Sequence, residues 1–310
     1  MGIVARPLRR RDVALFVTLL FEGFPDQLPE RGTDPRQVIR LLRMALSAWG
    51  LPLWLAQRLS GHEAVVLLAW DGPEPVGCLA AIGPRACPSL TGVYVRPSHR
   101  DQKVGLLLVE EIVGRLHARG CPRARVAAPT AGGEALARSA GFVPHDRVSL
   151  YRLPLPTPLP PTPGVRVRRI RQEEISPWER LERVPSSRLL ARLLGFRTAS
   201  ILTEDDDGPL LRASLCALAG EKAGEVRVEV LRHPADRALL AVLAAATAWT
   251  SRLGKQEVSL FLPDHEEGLV RLAEGMGLSK VRSWARLSID LTKRTGRGDP
   301  APRPESERGT

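Results

Sequence analysis

Residues 154–164 read PLPTPLPPTPG, and nothing else in the chain limits the fold so sharply. Each proline fixes φ and lacks an N–H, so the segment can be neither helix nor central strand. It predicts an extended, semi-rigid linker. The linker divides 310 residues into two pieces, each near the ~150 residues of an ordinary domain.

The two pieces repeat one order of elements. In the first, patterning predicts a strand over 3–8, helices over 12–21 and 35–59, and strands over 64–69 and 76–82 around the turn Asp71-Gly72-Pro73. A strand over 90–95, a helix over 104–119 ended by Gly120, a strand over 125–128, a helix over 134–139 and a closing strand over 148–153 follow. In the second, strands are expected over 165–170, 199–203, 211–217, 225–231, 258–262 and 282–291, with helices over 176–194, 235–253 and 268–274. Val95-Arg96-Pro97 answers Arg232-His233-Pro234, Arg100 answers Arg237, and Gly141-Phe142 answers Gly277-Leu278. This is duplication of a whole domain. The expected units are 1–153, the linker 154–164, 165–292, and a polar tail 293–310 expected to be disordered.

The net charge is +11, yet only five of the 45 basic residues are lysine and asparagine is absent. That bias reads as genomic composition. No basic run interleaves with aromatics as a base-stacking platform requires, so no nucleic-acid partner is expected. Cys78, Cys87, Cys121 and Cys216 form neither a C-x-x-C pair nor a Cys/His cluster of zinc spacing, so no metal is expected. Free buried thiols fit a cytoplasmic setting. Arg9-Arg10-Arg11 before an apolar stretch resembles the start of a signal peptide, but Asp12 interrupts it and no cleavage motif follows. Arg6 stands where a myristoylation start needs Ser or Thr, and no apolar run reaches the ~18 residues of a membrane span.

The segment 92–116, GVYVRPSHRDQKVGLLLVEEIVGRL, reads as a strand, a Pro-initiated turn and a helix starting near Val104. N–H groups at a helix start attract anions, Gly105 permits close backbone approach, and Arg100 and Lys103 add charge. The run Val95-Arg96-Pro97, then Arg100-Asp101-Gln102-Lys103-Val104-Gly105, resembles the acetyl-CoA motif of the GNAT acetyltransferase superfamily. The order of elements over 1–153 resembles that family too. The resemblance implies an α/β (α+β) fold of two tandem GNAT domains, each a mixed, mostly antiparallel sheet flanked by helices. It implies acetyl-CoA as co-substrate, with main-chain groups of Val93 and Val95 on pantetheine and the N–H groups of Gln102, Lys103, Val104 and Gly105 on pyrophosphate. Lys103 departs from the family, which prefers glycine there. Arg237–Val242 in the second copy holds no glycine, so that copy is expected to be degenerate.

Moving an acetyl group to a primary amine calls for an oxyanion donor and often an acid for the departing thiolate. The tyrosine many GNAT enzymes carry four residues before Gly-Phe is here Ala137, and Ala273 in the second copy. Tyr151 on the closing strand, Tyr94 on the cofactor strand and Glu229 of the second copy are the substitute candidates; packing is the simpler reading of Tyr151, half the reading of Tyr94 is packing, and a charge pair with Arg227 or Arg232 is the simpler reading of Glu229. His145 reads as a loop histidine and Glu110-Glu111 as a solvated helix face. An amine of a small molecule or peptide is the expected acceptor, its specificity set by the early helices, where Trp49 and Trp54 lie, and by the domain interface. A non-catalytic acyl-CoA-binding module is the alternative, and a homodimer is compatible with either.

Overall fold

The computed structural model describes residues 2–25, 35–45, 61–171, 174, 195–233 and 235–293. The expected helix over 176–194, the end of that over 35–59, Trp49, Trp54 and nearly all of the tail lie outside the described residues. Among those described, no helix is long and apolar enough to cross a membrane.

The first half runs β1 (Val4–Pro7), α1 (Val13–Gly23), α2 (Pro35–Ala45), β2 (His62–Asp71), β3 (Glu74–Pro84), β4 (Ser89–Val95), a 3-10 turn (Pro97–Gln102), α3 (Val104–Ala118), β5 (Arg123–Ala128), α4 (Ala131–Ser139) and β6 (Val143–Pro154). The second runs β7 (Arg166–Arg169), β8 (Phe196–Asp205), β9 (Gly208–Leu218), β10 (Ala223–Val230), α5 (Asp236–Arg252), β11 (Glu257–Pro263), α6 (Glu267–Gly275) and β12 (Ser279–Asp290). The fold is thus a mostly antiparallel mixed sheet flanked by helices. Its local causes are those of the sequence: Gly72 turns β2 into β3 at φ 55°, Gly120 and Gly254 end α3 and α5 at positive φ, and Thr130 caps α4 by accepting from Gly133 N.

The twelve strands among the described residues join one sheet in the order β1-β2-β3-β4-β5-β12-β6-β11-β10-β9-β8-β7. The closing strands are exchanged. β12, last in sequence, pairs with β5, and β6 pairs with β11. The strand over 148–153, expected to close the first half's sheet, therefore completes the second's. Each closing strand turns every second residue into a core, Tyr151 and Leu153 from β6 and Ala285, Leu287 and Ile289 from β12, so a duplicated sheet offers both strands similar sockets, and β6 and β12 also pair with each other. Arg286 of β12 fastens that seam through a two-pronged contact with Asp146 of β6, Nε to Oδ1 at 2.6 Å.

The cores follow the exchange. Under α3 and α4, Leu67, Leu79, Leu108, Ile112 and Leu116 pack with Ala285, Leu287 and Ile289 of β12. Under α5 and α6, Leu211, Val226, Leu239, Val242 and Leu260 pack with Tyr151 and Leu153 of β6. Leu155 and Leu159 of the proline segment lie against this second core. A third cluster, Val13, Phe16, Val17 and Leu19 with Leu68 and Cys78, seats α1 on the other face of the first half-sheet.

Candidate functional site

β4 and β5 run parallel but pair at only two positions, Ser89↔Arg125 and Leu90↔Val126. Beyond them the strands part. On its other side β4 stays paired with β3, through a bulge between Cys78 and Ala80. The bulge needs Gly92, whose φ of 65° is open to glycine. The thiol of Cys78 lies under it, 3.5 Å from Gly92 O, and burial pushes that thiol up to about 12.

Arg96 N donates to Val76 O at 2.9 Å. An antiparallel ladder alternates bonded and non-bonded pairs, so the next pair, Gly77↔Val95, turns the N–H and C=O of Val95 away from β3. They point to the side that β5 has vacated. Arg100 Nε reaches Val95 O from there, at 3.2 Å. The side chains of Val93 and Val95 pack on the α3 core, whereas Tyr94 belongs to the α1 cluster on the opposite face.

The turn after β4 is 3-10 and uses its own amides: His99 N donates to Arg96 O at 2.9 Å and Gln102 Nε2 to Ser98 O at 3.2 Å. Lys103 follows at φ 59°, ψ 18°, the one non-glycine residue at positive φ among those described. It takes the backbone conformation that glycine would take without strain. Leu107 N donates to Lys103 O at 3.0 Å, which leaves the N–H groups of Val104, Gly105 and Leu106 outside the helix ladder. Val104 and Gly105 belong to the expected set at 102–105, and Leu106 lies one residue beyond it. A Cβ on Gly105 would stand 3.1 Å from Leu136 Cδ2 and 3.8 Å from Val95 Cγ2. Gly105 thus lets α4 pack closely on α3, a role its sequence position did not disclose.

The expected catalytic residues are not brought together. Tyr151 is fully buried in the second core, and its hydroxyl donates to Glu274 Oε1 of α6 at 3.3 Å. Burial first, then the charge of Glu274, pushes the phenol up to about 12. Strand exchange is the reason it left the first half. Glu229 faces Arg212 across β9 and β10, with Arg212 Nη1 3.5 Å from its Oε2. Ala137 and Ala273 are buried core residues. His145 lies on β6, not in a loop, and contacts Ser288 Oγ. Glu111 is paired with Arg115 along α3, as a solvated helix face should be.

The matching place in the second half differs. β10 and β11 pair at five positions, Ala223↔Glu257 to Arg227↔Phe261, and β10 follows β9 over seven without a bulge. A cavity of about 350 Å³ lies between the starts of α5 and α6, lined by His233, Asp236, His265, Glu266, Glu267, Gly268 and Leu269. Carboxylates there would repel phosphates. Among the described residues, no group of His, Cys, Asp and Glu is arranged to hold a metal ion.

Residues 35–142 match the model of the acetyltransferase (GNAT) family. Among curated proteins, none matches the chain. Among solved structures, the chain is similar to a tandem GNAT protein from the clavulanic acid biosynthesis pathway, at 14% identity and TM-score 0.59, over 94% of this chain and 99% of that one. It is also similar to a GCN5-related N-acetyltransferase from Sphaerobacter thermophilus, at 18% identity and TM-score 0.56, over 93% and 96%. A putative acetyltransferase from Pyrococcus horikoshii aligns at 16% identity and TM-score 0.54, over 94% and 90%. At these identities the likeness is one of fold.

Proposed function

We propose an N-acetyltransferase that takes acetyl-CoA in its first half and passes the acetyl group to a primary amine, from residues 35–142 that match the GNAT family and a fold similar to that of a tandem GNAT protein. The carrying observation is the opening between β4 and β5, with Val95's main chain turned into it beside the bare N–H groups of α3. An extended pantetheine arm can add to β4 there as another strand would. The N–H groups of Val104, Gly105 and Leu106, with Lys103 and Arg100, suit a pyrophosphate.

Acetyl-CoA supplies an activated acyl group, and the protein's part is to hold and orient it. The amine attacks as the free base, and the developing oxyanion needs a donor N–H, which the bulged stretch of β4 is positioned to give. Such a route relies on orientation more than on a side-chain acid, in keeping with alanine at 137 and 273. The second half is proposed to bind no CoA. What supports this is the longer β10–β11 pairing, the missing bulge and the acidic cavity.

Calorimetric titration with acetyl-CoA and with CoA tests the reading. Binding at one site per chain, lost in Gly92→Val, is expected; two equivalent sites would refute the division between halves. Buried Ala137 favours a second reading, a non-catalytic acyl-CoA-binding module. It predicts the same titration with no thiol release from acetyl-CoA across an amine library.

A further inference from the structure

The last turn of α1 meets β4 and its turn at three points. Leu20 Cδ1 stands 2.9 Å from where a Cβ on Gly92 would be. The ring of Tyr94 lies 2.6 Å from where a Cβ on Gly23 would be. Between them, Glu22 takes the guanidinium of Arg96 with both oxygens, Oε2 to Nε and Oε1 to Nη2, each at 3.3 Å.

The same guanidinium reaches Glu74 Oε1 through Nη1 at 2.5 Å, and His99 Nε2 stands 3.5 Å from Asp71 Oδ2. The turn that opens the cofactor site is therefore held from two sides, by the end of α1 and by the β2–β3 turn. Arg96 is charged at every working pH, as any guanidinium is, and hydrogen bonding to Glu22 raises its pKa further. Solvent-exposed pairs of this kind add little to global stability. A planar fork on a carboxylate fixes direction as well as distance, which a single ammonium cannot do.

We infer that Glu22 is a positioning residue: through Arg96 it makes the last turn of α1 and the cofactor turn move as one piece. Filling the cofactor site then orders the helix end from which the chain runs on toward α2. The inference rests on the acetyl-CoA reading above and adds to it a link between the two walls of the site.

Hydrogen exchange of the full chain, with and without saturating acetyl-CoA, is the test. In the unaltered protein, acetyl-CoA should protect 97–107 and also 13–23. In Glu22→Gln, protection of 97–107 should remain while that of 13–23 falls to its level without acetyl-CoA, at an unchanged melting temperature. Arg96→Lys, which keeps the charge and loses the fork, should behave alike and serves if Glu22→Gln folds poorly. Undiminished protection of 13–23 in these variants would overturn the inference, as would its absence in the unaltered protein when 97–107 is protected. Protection of neither segment would instead refute acetyl-CoA binding at this turn, and the inference with it.

Discussion

Leu136 of α4 occupies the space above Gly105 of α3, its Cδ2 3.1 Å from where a Cβ would stand. The place of the missing side chain is thus taken up by helix packing.

Gly105→Ala should gain helix propensity yet press on Leu136, and overpacking of this order costs about 1–3 kcal/mol. A lower melting temperature is expected, restored when Leu136→Ala is added. Additive effects in that double-mutant cycle would mean that the two residues do not meet.

Lys103→Gly should leave stability unchanged or raise it, because a left-handed backbone costs a non-glycine residue about 1–2 kcal/mol. Lys103→Thr, β-branched, should lower it. If the lysine assists the pyrophosphate, Lys103→Gly should at the same time weaken acetyl-CoA binding, read by calorimetry.

Tyr151→Phe should change stability at alkaline pH and spare acetyl transfer. The folded-state pKa of about 12 exceeds the ordinary ~10 of tyrosine. A raised pKa favours the protonated form in the folded state, so this contribution is complete below pH ~10 and is lost as pH rises toward ~12. Urea unfolding across that window should fall less steeply with pH in the variant. Loss of transfer in a stable Tyr151→Phe protein would return the residue to the chemistry.

Residues 1–153 expressed alone should not fold stably with the first core as described. Ala285, Leu287 and Ile289 would be missing from it, and β6 would have to turn back onto β5. Mixing with residues 165–310 should restore cooperative unfolding, followed by calorimetry. A stable, acetyl-CoA-binding fragment 1–153 would show that each half can close on itself.

Most elements could be read from the sequence because periodicity and turn residues act locally. The unbroken apolar run of Val76–Ile82, the Gly120 stop and the Val95-Arg96-Pro97 turn each declare themselves within a dozen residues. The exchange of β6 and β12 could not be read so. It depends on which of two similar sockets a strand enters, and a strand's local pattern does not choose between them. The placement of Tyr151 failed with it. Lys103 marked a departure from glycine in the sequence, but that it keeps glycine's backbone is visible only in three dimensions. Glu229 was legible as a cross-strand charge, and its partner is Arg212 on the neighbouring β9.

The exchanged strands also bear on ancestry. A duplicate proposed to bind no CoA would ordinarily be free to erode and vanish. Here it carries, in Ala285, Leu287 and Ile289, part of the hydrophobic interior of its sibling. Losing it would unmake the half that is proposed to work, so selection on one copy conserves the other as a hostage.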